Sequence, residues 1–397
     1  MGNDFRPQYL SLSAIIESLD HPRVLALTAT ASLPVRNEII ERLQLRETKV
    51  VVKGFRRSNI WLGVERFQTE SAKLQALLEH VQQAQMPGIV YTATRKRAEE
   101  VTRALQDKGF KAQFYHAGLK VPERAARQQA FVDNAFDVIV ATTAFGMDTN
   151  KLDVRFVFHY EISDSVDAYY QEFSHAGRDG EPAKALLLYM AKDFGMRQFL
   201  SSSGYINTDQ MVAVIDVLQA HRTPVELQEL QKELGVSQTK LMHMVTKLEE
   251  IGAINLLPDG SIMLTRDAKD LKPMVEETMS KHQARRRFER SRIEMIREYA
   301  ESDSCRHAYL LNYFGEAFSG SCGHCDVCAR HQQQTADQAT DKYPFPLTSR
   351  VAHALWGKGM VLRYEDDKIV VLFDIVGSKA LSLEIVKEKG LLTPLDG

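Results

Sequence analysis

The sequence predicts an α/β chain: a parallel sheet covered by helices, then three helices with a hairpin, a cysteine-held helical module and a small antiparallel barrel. Three observations carry this reading. Apolar strand-like runs alternate with helical stretches over roughly the first half, four cysteines crowd between Cys305 and Cys328, and period-two alternation between turn residues follows Arg350. At 397 residues the chain is expected to hold two to four domains, since single cores usually stop growing below this size.

Composition sets outer bounds. A net charge of -2 and a pI near 6.7 give no global field for nucleic acid, so binding of that kind must come from local patches. Met1-Gly-Asn-Asp-Phe-Arg-Pro7 is neither apolar nor basic enough for a signal peptide, and no long apolar run suits a membrane span, so the chain reads as cytosolic. In a reducing compartment Cys305, Cys322, Cys325 and Cys328 argue for metal rather than disulfides.

In order, Leu10, Leu12, Ile15, Ile16 and Leu19 have helical spacing after a segment holding Phe5 and Arg6. Val24 to Ala31 reads as a buried parallel strand ending in hydroxyl residues, Val35 to Leu43 as helix, and Val50 to Lys53 as a short strand. Strands at Gly88–Tyr91, Ala112–Tyr115, Asp137–Ala141 and Phe156–His159 then alternate with helices at Arg95–Lys108 and Glu123–Asn134. In such sheets chemistry gathers at the carboxyl ends of the strands. Those ends carry Thr28 and Thr30; Thr92, Thr94 and Arg95; His116 and Gly118; Thr142, Thr143 and Gly146; and Gln171 with Arg178. Each alone suits a helix cap or turn, but as a set they have the hydroxyls, amides and arginines that a phosphate-tracking surface needs. The last, Tyr169 to Gly180, sets Arg178 between two glycines; locally it reads equally as a surface turn or as a guanidinium presented to a phosphate.

Leu-Thr-Ala-Thr-Ala, Gly-Ile-Val-Tyr-Thr-Ala-Thr-Arg, Tyr-His-Ala-Gly-Leu, Val-Ala-Thr-Thr-Ala-Phe-Gly-Met and Tyr-Tyr-Gln-Glu-x-x-x-Ala-Gly-Arg-Asp-Gly, in that order, resemble superfamily 2 DNA helicases of the RecQ family. The resemblance spans about the first 200 residues and returns at the cysteines. It implies a RecA-like helicase lobe, with Arg178 as the arginine finger stabilising transition-state charge on a γ-phosphate and Gln171 as its catalytic companion. It further implies cofactor binding at Gly146, Asn150 and His175. Thr92, Arg95, His116 and Thr142 are placed near a single-stranded DNA backbone, and Phe5 and Arg6 resemble half of the aromatic-rich loop that couples DNA to hydrolysis. Departures accompany the matches. No Gly-x-x-x-x-Gly-Lys-Ser/Thr and no Asp-Glu-Ala-His occurs, and Gly146-Met-Asp-Thr-Asn-Lys151 and Ser174-His-Ala-Gly-Arg178 stand where the family reads Gly-Met-Gly-Ile-Asp-Lys and Gly-Arg-Ala-Gly-Arg. ATP and Mg²⁺ are therefore expected only with a first lobe that this sequence does not contain, and the chain alone is expected to be inactive as an ATPase.

Thr208 before Met211, Val214, Ile215 and Leu218, Thr223-Pro before Leu227, Leu230 and Leu234, and Ser237 before Leu241, Val245 and Leu248 mark three helices. With a hairpin of Ala253–Leu257 and Ser261–Thr265 this is winged-helix order, its third helix offering Gln238, Thr239, Lys240, His243 and Lys247 to DNA, or packing against protein instead. Lys281 to Arg292, with Arg285 and Arg286, is a basic helix that suits either phosphates or plain solvent. Cys305 with Cys322-Gly-His-Cys-Asp-Val-Cys328 closes a tetrahedral thiolate shell for structural Zn²⁺; His307 and His324 are rival ligands and an iron–sulfur cluster the minor alternative. This region also resembles the RecQ zinc subdomain. The strands from Arg350, Lys368 and Gly377 resemble the SH3/Tudor-like module of superfamily 1 repair helicases, which implies protein docking, for instance on RNA polymerase; Phe373 is read as core, and Trp356 as core or contact.

The expected division is a first-lobe remnant at 1–45, a second RecA-like lobe at 46–203, a winged helix at 204–270, the basic helix and zinc subdomain at 271–330, a linker at 331–343 and the barrel at 344–397. The expected function is that of a RecQ-type 3′-to-5′ DNA helicase in repair and recombination, cytoplasmic and nucleoid-associated, acting as a monomer on forked or single-stranded DNA. The alternative is a non-catalytic DNA-binding adaptor using the winged helix, zinc module and barrel.

Overall fold

The computed structural model describes residues 12–395 except 29, 31–32, 144, 146–150, 196–207, 222, 258–259, 319, 335–343, 348, 366 and 375, and side chains except also those of 33–34, 239, 250, 281–289 and 332–334. Phe5, Arg6, Gly146 and Asn150, the Arg285 and Arg286 side chains, and most of the expected linker lie outside the described residues. Two units form: residues 1–195 with 291–397, and residues 196–290.

The first unit is built on a six-stranded sheet in the order β1-β6-β5-β2-β4-β3, parallel throughout. The strands are β1 (Ile60–Arg66), β2 (Gly88–Tyr91), β3 (Ala112–Tyr115), β4 (Val138–Ala141), β5 (Phe156–His159) and β6 (Ala183–Tyr189). Every residue of β2, β4 and β5 is buried, as strands covered on both faces require. Successive side chains divide between two cores. Val90, Val140, Phe158 and Leu186 face α3 (Glu70–Gln83) and α4 (Arg95–Asp107); Ile89, Ile139, Val157 and Leu187 face α5 (Val121–Val132) and α6 (Val166–Phe173). Gly88 is required at the centre, because a Cβ there would stand 2.0 Å from the Phe156 ring.

Two expected strands do not form. Val24–Thr28 and Val50–Lys53 carry no strand, and Leu25, Leu27 and Val51 are 81%, 83% and 74% exposed. Their apolar pattern suits a strand, but no neighbouring strand among the described residues pairs with them, and an unpaired strand cannot satisfy its backbone. Between and before them lie α1 (Leu12–Ser18) and α2 (Leu33–Arg42). Conversely, β1, β6 and α3 were not expected. The Tyr169–Gly180 stretch is not a loop throughout, since α6 runs to Phe173, capped by Ser165 accepting from the Ala168 amide.

The edge strand β1 is covered by the cysteine module. Leu62 bridges to Cys325, its amide donating to the His324 carbonyl at 3.5 Å, and Ile60, Leu62 and Val64 share a core with Tyr309, Val327 and Cys328. A covered edge is an edge that cannot recruit foreign strands. A five-stranded antiparallel sheet ends the chain, in the order β13-β12-β11-β10-β14: β10 (Arg350–His353), β11 (Gly357–Glu365), β12 (Lys368–Phe373), β13 (Gly377–Ser382) and β14 (Leu392–Pro394). Its inner face holds Val361, Val371 and a fully buried Phe373, while Met360, Leu362, Val370 and Leu372 on the other face join the core containing Met295 and Tyr299. Trp356 is part-buried and stacks on His353 at 4.3 Å.

The second unit holds α7 (Thr208–His221), α8 (Leu227–Leu234), α9 (Gln238–Glu250) and a three-stranded sheet in the order β7-β9-β8, comprising β7 (Val225–Glu226), β8 (Ile254–Leu256) and β9 (Ser261–Leu264). Thr223-Pro leads into β7 rather than directly into a helix, because Val225 pairs with Ile262. Gly235, at φ +61°, ends α8, and Ser237 caps α9 by accepting from the Lys240 amide. Helix α10 (Ala268–Glu301) contributes Ala268, Leu271, Val275 and Met279 to this unit's core; its residues from Ser291 belong to the first unit.

Candidate functional site

Arg178 stands exposed on the turn that follows α6. The turn is tightly held from behind. Arg57 donates from Nη1 to the Ser174 carbonyl at 3.2 Å and from Nη2 to those of Ala176 and Gly177 at 2.8 and 3.2 Å. Asn59 Nδ2 donates to Gly177 and Glu181 carbonyls at 2.8 and 2.9 Å. Gly177, at φ +54°, has no room for a side chain, since a Cβ would meet Asn59 Nδ2 at 2.5 Å and the Glu181 carbonyl oxygen at 2.8 Å. The turn is therefore a fixed platform, and the guanidinium is its outward part.

His175, buried behind that guanidinium, has its Nδ1 2.7 Å from Arg178 Nη2. Burial, aided by the charges of Arg178 and Arg57, lowers its pKa to about 4. The ring is neutral at pH 7, so Nδ1 accepts a hydrogen bond that the guanidinium donates, which orients Arg178. Burial, and then the like charge of Arg57, also lower the pKa of Arg178. Gln171 sits half-buried one turn back on α6. Its neighbour Glu172 is buried and accepts from Ser163 Oγ at 2.7 Å, with His159 Nε2 2.9 Å from the same oxygen.

Because β2, β4 and β3 are adjacent, Thr92, Thr142 and His116 fall along one edge of the sheet. The Thr92 amide donates to Ala141 at 2.8 Å and that of Thr142 to Tyr115 at 3.2 Å, which ties the three loops together. Thr92 and His116 are buried, the hydroxyl turned to the Thr94 and Ala141 carbonyls and the imidazole 3.3 Å from Glu99. Arg95, exposed at the start of α4 after the capping Thr94, lies against Gly118, and Thr142 is half-exposed. Thr92 and His116 thus brace the row from within, while Arg95 and Thr142 face outward. Glu161, buried, fixes the same loop by accepting from the Ala93 amide at 2.6 Å. On α9, Gln238 and His243 are exposed and Lys240 and Lys247 half-exposed. Arg292, the end of the basic run, does not face solvent: it donates to Ser165 Oγ at 3.0 Å and to Asp167 at 3.1 Å.

The sulfurs of Cys305, Cys322, Cys325 and Cys328 all lie within 4.8 Å of one another, with Cys322 and Cys328 3.8 Å apart and no disulfide. Sulfurs about 2.3 Å from a shared tetrahedral Zn²⁺ require separations of this size. An iron–sulfur cluster needs room for its own irons and sulfides between the cysteines, which this spacing denies. Cys305 caps α11 (Arg306–Tyr313), and Cys325 and Cys328 bracket the start of α12 (Asp326–Gln334). Amides of His324 and Cys328 donate to sulfurs at 3.3 and 3.4 Å. These four residues would hold the ion, whose chemistry is to neutralise thiolates and cross-link the module. His307 and His324 fall outside the sulfur set, and His307 Nε2 instead faces the Arg57 carbonyl at 3.4 Å.

Several residues that hold these sites escaped the sequence reading. Arg306 is 1% exposed and clamps Asp326 at 2.9 and 3.1 Å, so a buried ion pair joins the two halves of the cysteine module. Their positions, one beside a ligand and one between two ligands, were the available signal. Arg57 had none, because its side-chain partners lie more than a hundred residues away.

Residues 72–180 match the helicase conserved C-terminal domain, and residues 265–329 match the RecQ zinc-binding domain. The chain is 31% identical over 331 residues to a probable ATP-dependent DNA helicase RecS of Bacillus subtilis, covering 83% of this chain and 63% of that protein. It is 30% identical to the ATP-dependent DNA helicase RecQ of Pasteurella multocida, covering 82% of this chain and 39% of that one. A RecQ-like DNA helicase of Caenorhabditis elegans is 40% identical over 48% of this chain and 20% of its own length. The chain thus spans less than two thirds of each relative. With both segments matched in order and the four cysteines gathered into one cluster, this chain corresponds to the C-terminal region of RecQ-family helicases, carrying their helicase C-terminal and zinc-binding segments.

Proposed function

We propose that this chain is the DNA-engaging and arginine-bearing part of an ATP-dependent 3′-to-5′ DNA helicase of repair and recombination, inactive as an ATPase alone. The observation that carries this is Arg178, an exposed guanidinium on a turn whose backbone is clamped by Arg57 and Asn59 and whose side chain is oriented by a neutral His175. A preorganised cation of this kind stabilises charge developing on a transferring phosphoryl group without reorganising. The sequence holds no Gly-Lys-Ser/Thr loop to cradle ATP and Mg²⁺, so in this reading the phosphate is presented to Arg178 by a separate lobe.

In this reading Gly146, Asn150 and His175 adjoin the nucleotide, with Gln171 beside Arg178. Arg95 and Thr142 track a single-stranded DNA backbone on a row braced by Thr92 and His116, and Phe5 and Arg6 relay DNA binding to the nucleotide. The second unit is a winged helix presenting Lys240, followed by Arg285 and Arg286, to a fork. The C-terminal sheet is an SH3/Tudor-like docking module for a protein such as RNA polymerase, and the particle is a nucleoid-associated monomer. DNA-stimulated ATP hydrolysis tests the proposal. The chain alone should show none; extended by a lobe bearing Gly-Lys-Ser/Thr it should hydrolyse ATP, and Arg178→Ala should then lose about 10³ to 10⁵ in rate. Turnover by the chain alone would overturn the reading, as would an extended Arg178→Ala protein of undiminished rate.

A further inference from the structure

We infer that Arg57 is a positioning residue that couples the metal centre to the Arg178 turn. Residues 54–62 form a strap lying between the two. On its metal-facing side, Phe55 stacks on Phe314 at 4.4 Å and its amide donates to Glu316 at 2.7 Å. His307, two residues from the ligand Cys305, has Nε2 3.4 Å from the Arg57 carbonyl oxygen, and Leu62 bridges to the ligand Cys325. On its other side, the Arg57 fork grips three carbonyls of the turn, Asn59 grips a fourth, and Tyr170 of α6 donates to the Phe55 carbonyl at 2.8 Å. One residue thus touches the metal module through its backbone and the arginine turn through its side chain.

The Arg57 guanidinium is committed to carbonyls, which excludes it as a second phosphate ligand and leaves positioning as its role. A planar fork reaching three oxygens fixes a turn in a way that an ammonium cannot. If the metal module loosens, the Arg57 carbonyl and the start of β1, where Ile60 donates to that same carbonyl at 3.2 Å, lose their support, and the fork moves with them. Coupling between two sites is reciprocal, so weakening the grip on the turn must weaken retention of the metal. The coupling rests on the proposed function only for its consequence, an arginine presented when zinc is bound; it is measurable without ATP.

The test uses zinc-loaded full chain as wild type, Arg57→Ala, Arg57→Lys and, as a surface control, Lys53→Ala. Peptide-resolved hydrogen exchange over residues 174–180 is read beside the rate of zinc loss to excess chelator. In Arg57→Ala both should rise at least about fivefold, in Arg57→Lys less, and in Lys53→Ala not at all. Exchange in β2 should stay unchanged, and zinc-stripped wild type should match Arg57→Ala over the turn. Faster exchange with unaltered zinc loss would reduce Arg57 to a local brace and overturn the coupling, as would unaltered exchange. If stripping unfolds the chain, the zinc-loss rates of the folded, loaded proteins still decide. A failed ATPase test with an intact exchange-and-zinc result refutes the function alone; the converse refutes the coupling alone.

Discussion

Replacing Arg306 by Met should destabilise the first unit by about 3 kcal/mol, the low end of the 3–5 kcal/mol typical of breaking a buried ion pair. The guanidinium is 1% exposed and makes two bonds to Asp326, at 2.9 and 3.1 Å, one to the Ser302 carbonyl at 3.0 Å and one to that of Tyr299. Two charge-assisted bonds at about 1.5–3 kcal/mol each would suggest more. Two features bring the figure down: Met fills much of the vacated volume, and Asp326, 15% exposed, retains Arg330 at 3.4 Å. At about 2–4 °C per kcal/mol for large domains, the melting midpoint of the zinc-loaded protein should fall by about 6–12 °C. The informative measurement is the cycle with Asp326→Leu. Arg306→Met leaves Asp326 with the weaker partner Arg330, Asp326→Leu leaves the buried guanidinium with carbonyls alone, and the double variant removes both charges, so the double should be less destabilised than the sum by about 2 kcal/mol. Thermal unfolding of the four proteins at equal zinc content gives that number. If the losses add to within about 0.5 kcal/mol, the clamp joining the module's halves is not an energetic unit and the reasoning fails.

Other expectations follow from single residues. Gly88→Ala forces a methyl into the Phe156 ring at the centre of the sheet and should cost about 1–3 kcal/mol by denaturant titration; an unchanged midpoint would mean the strands can separate freely there. Glu298, largely but not fully buried between α10 and the C-terminal sheet with Arg363 at 2.8 Å and Ser378 at 3.4 Å, has its carboxyl pushed by desolvation from the usual 4.5 up to about 7, against the pull of Arg363. The folded state therefore holds a proton that the unfolded state releases, and stability should fall as pH rises from about 4.5 to about 7, by on the order of 3 kcal/mol in all. Melting curves of wild type and Glu298→Gln across that range check it, since the variant should lose this slope. Chelation should unfold residues 303–330 and uncover β1, seen as lost helicity and concentration-dependent association; unaltered circular dichroism after metal removal would exclude a structural ion.

The strands that could be read from the sequence are those whose identity is local. Gly88–Tyr91 and Phe156–His159 are short apolar runs between turn residues, and such a run buried on both faces has little else to become. β6 is Ala-Lys-Ala-Leu-Leu-Leu-Tyr, a composition equally good in a helix, and β1 carries Gly63 and two charged residues at its end. Each becomes a strand by lying beside the other, residue for residue from Ile60 with Ala183 to Arg66 with Tyr189. Val24–Thr28 and Val50–Lys53 show the reverse: good strand composition, and no strand to pair with. Periodicity states what a segment can be, and pairing decides what it is. The cysteines were legible for a different reason, because thiolate spacing is dictated by the ion rather than by the fold.

The stretch around Arg178 resisted local reading because every residue of α6 except the half-buried Gln171 is buried. Val166, Tyr169 and Phe173 face the sheet's core, while Asp167, polar enough to suggest a surface, is held by Arg292 and by the Tyr313 hydroxyl at 2.5 Å. A helix covered on all faces shows no amphipathic stripe, so its sequence resembles an irregular polar segment. The partners that make it a helix come from α10 and α11, and the grip that fixes its turn comes from Arg57, whose carbonyl meets a residue 250 positions further on. The arginine and the metal centre are thus parts of one packed unit, although the chain separates them by the whole of the second unit. A change confined to the zinc module should therefore be felt at Arg178 before it is felt at the strand-end row of Arg95 and Thr142, which is braced from within the sheet by Thr92, His116 and Glu161 and shares none of these contacts.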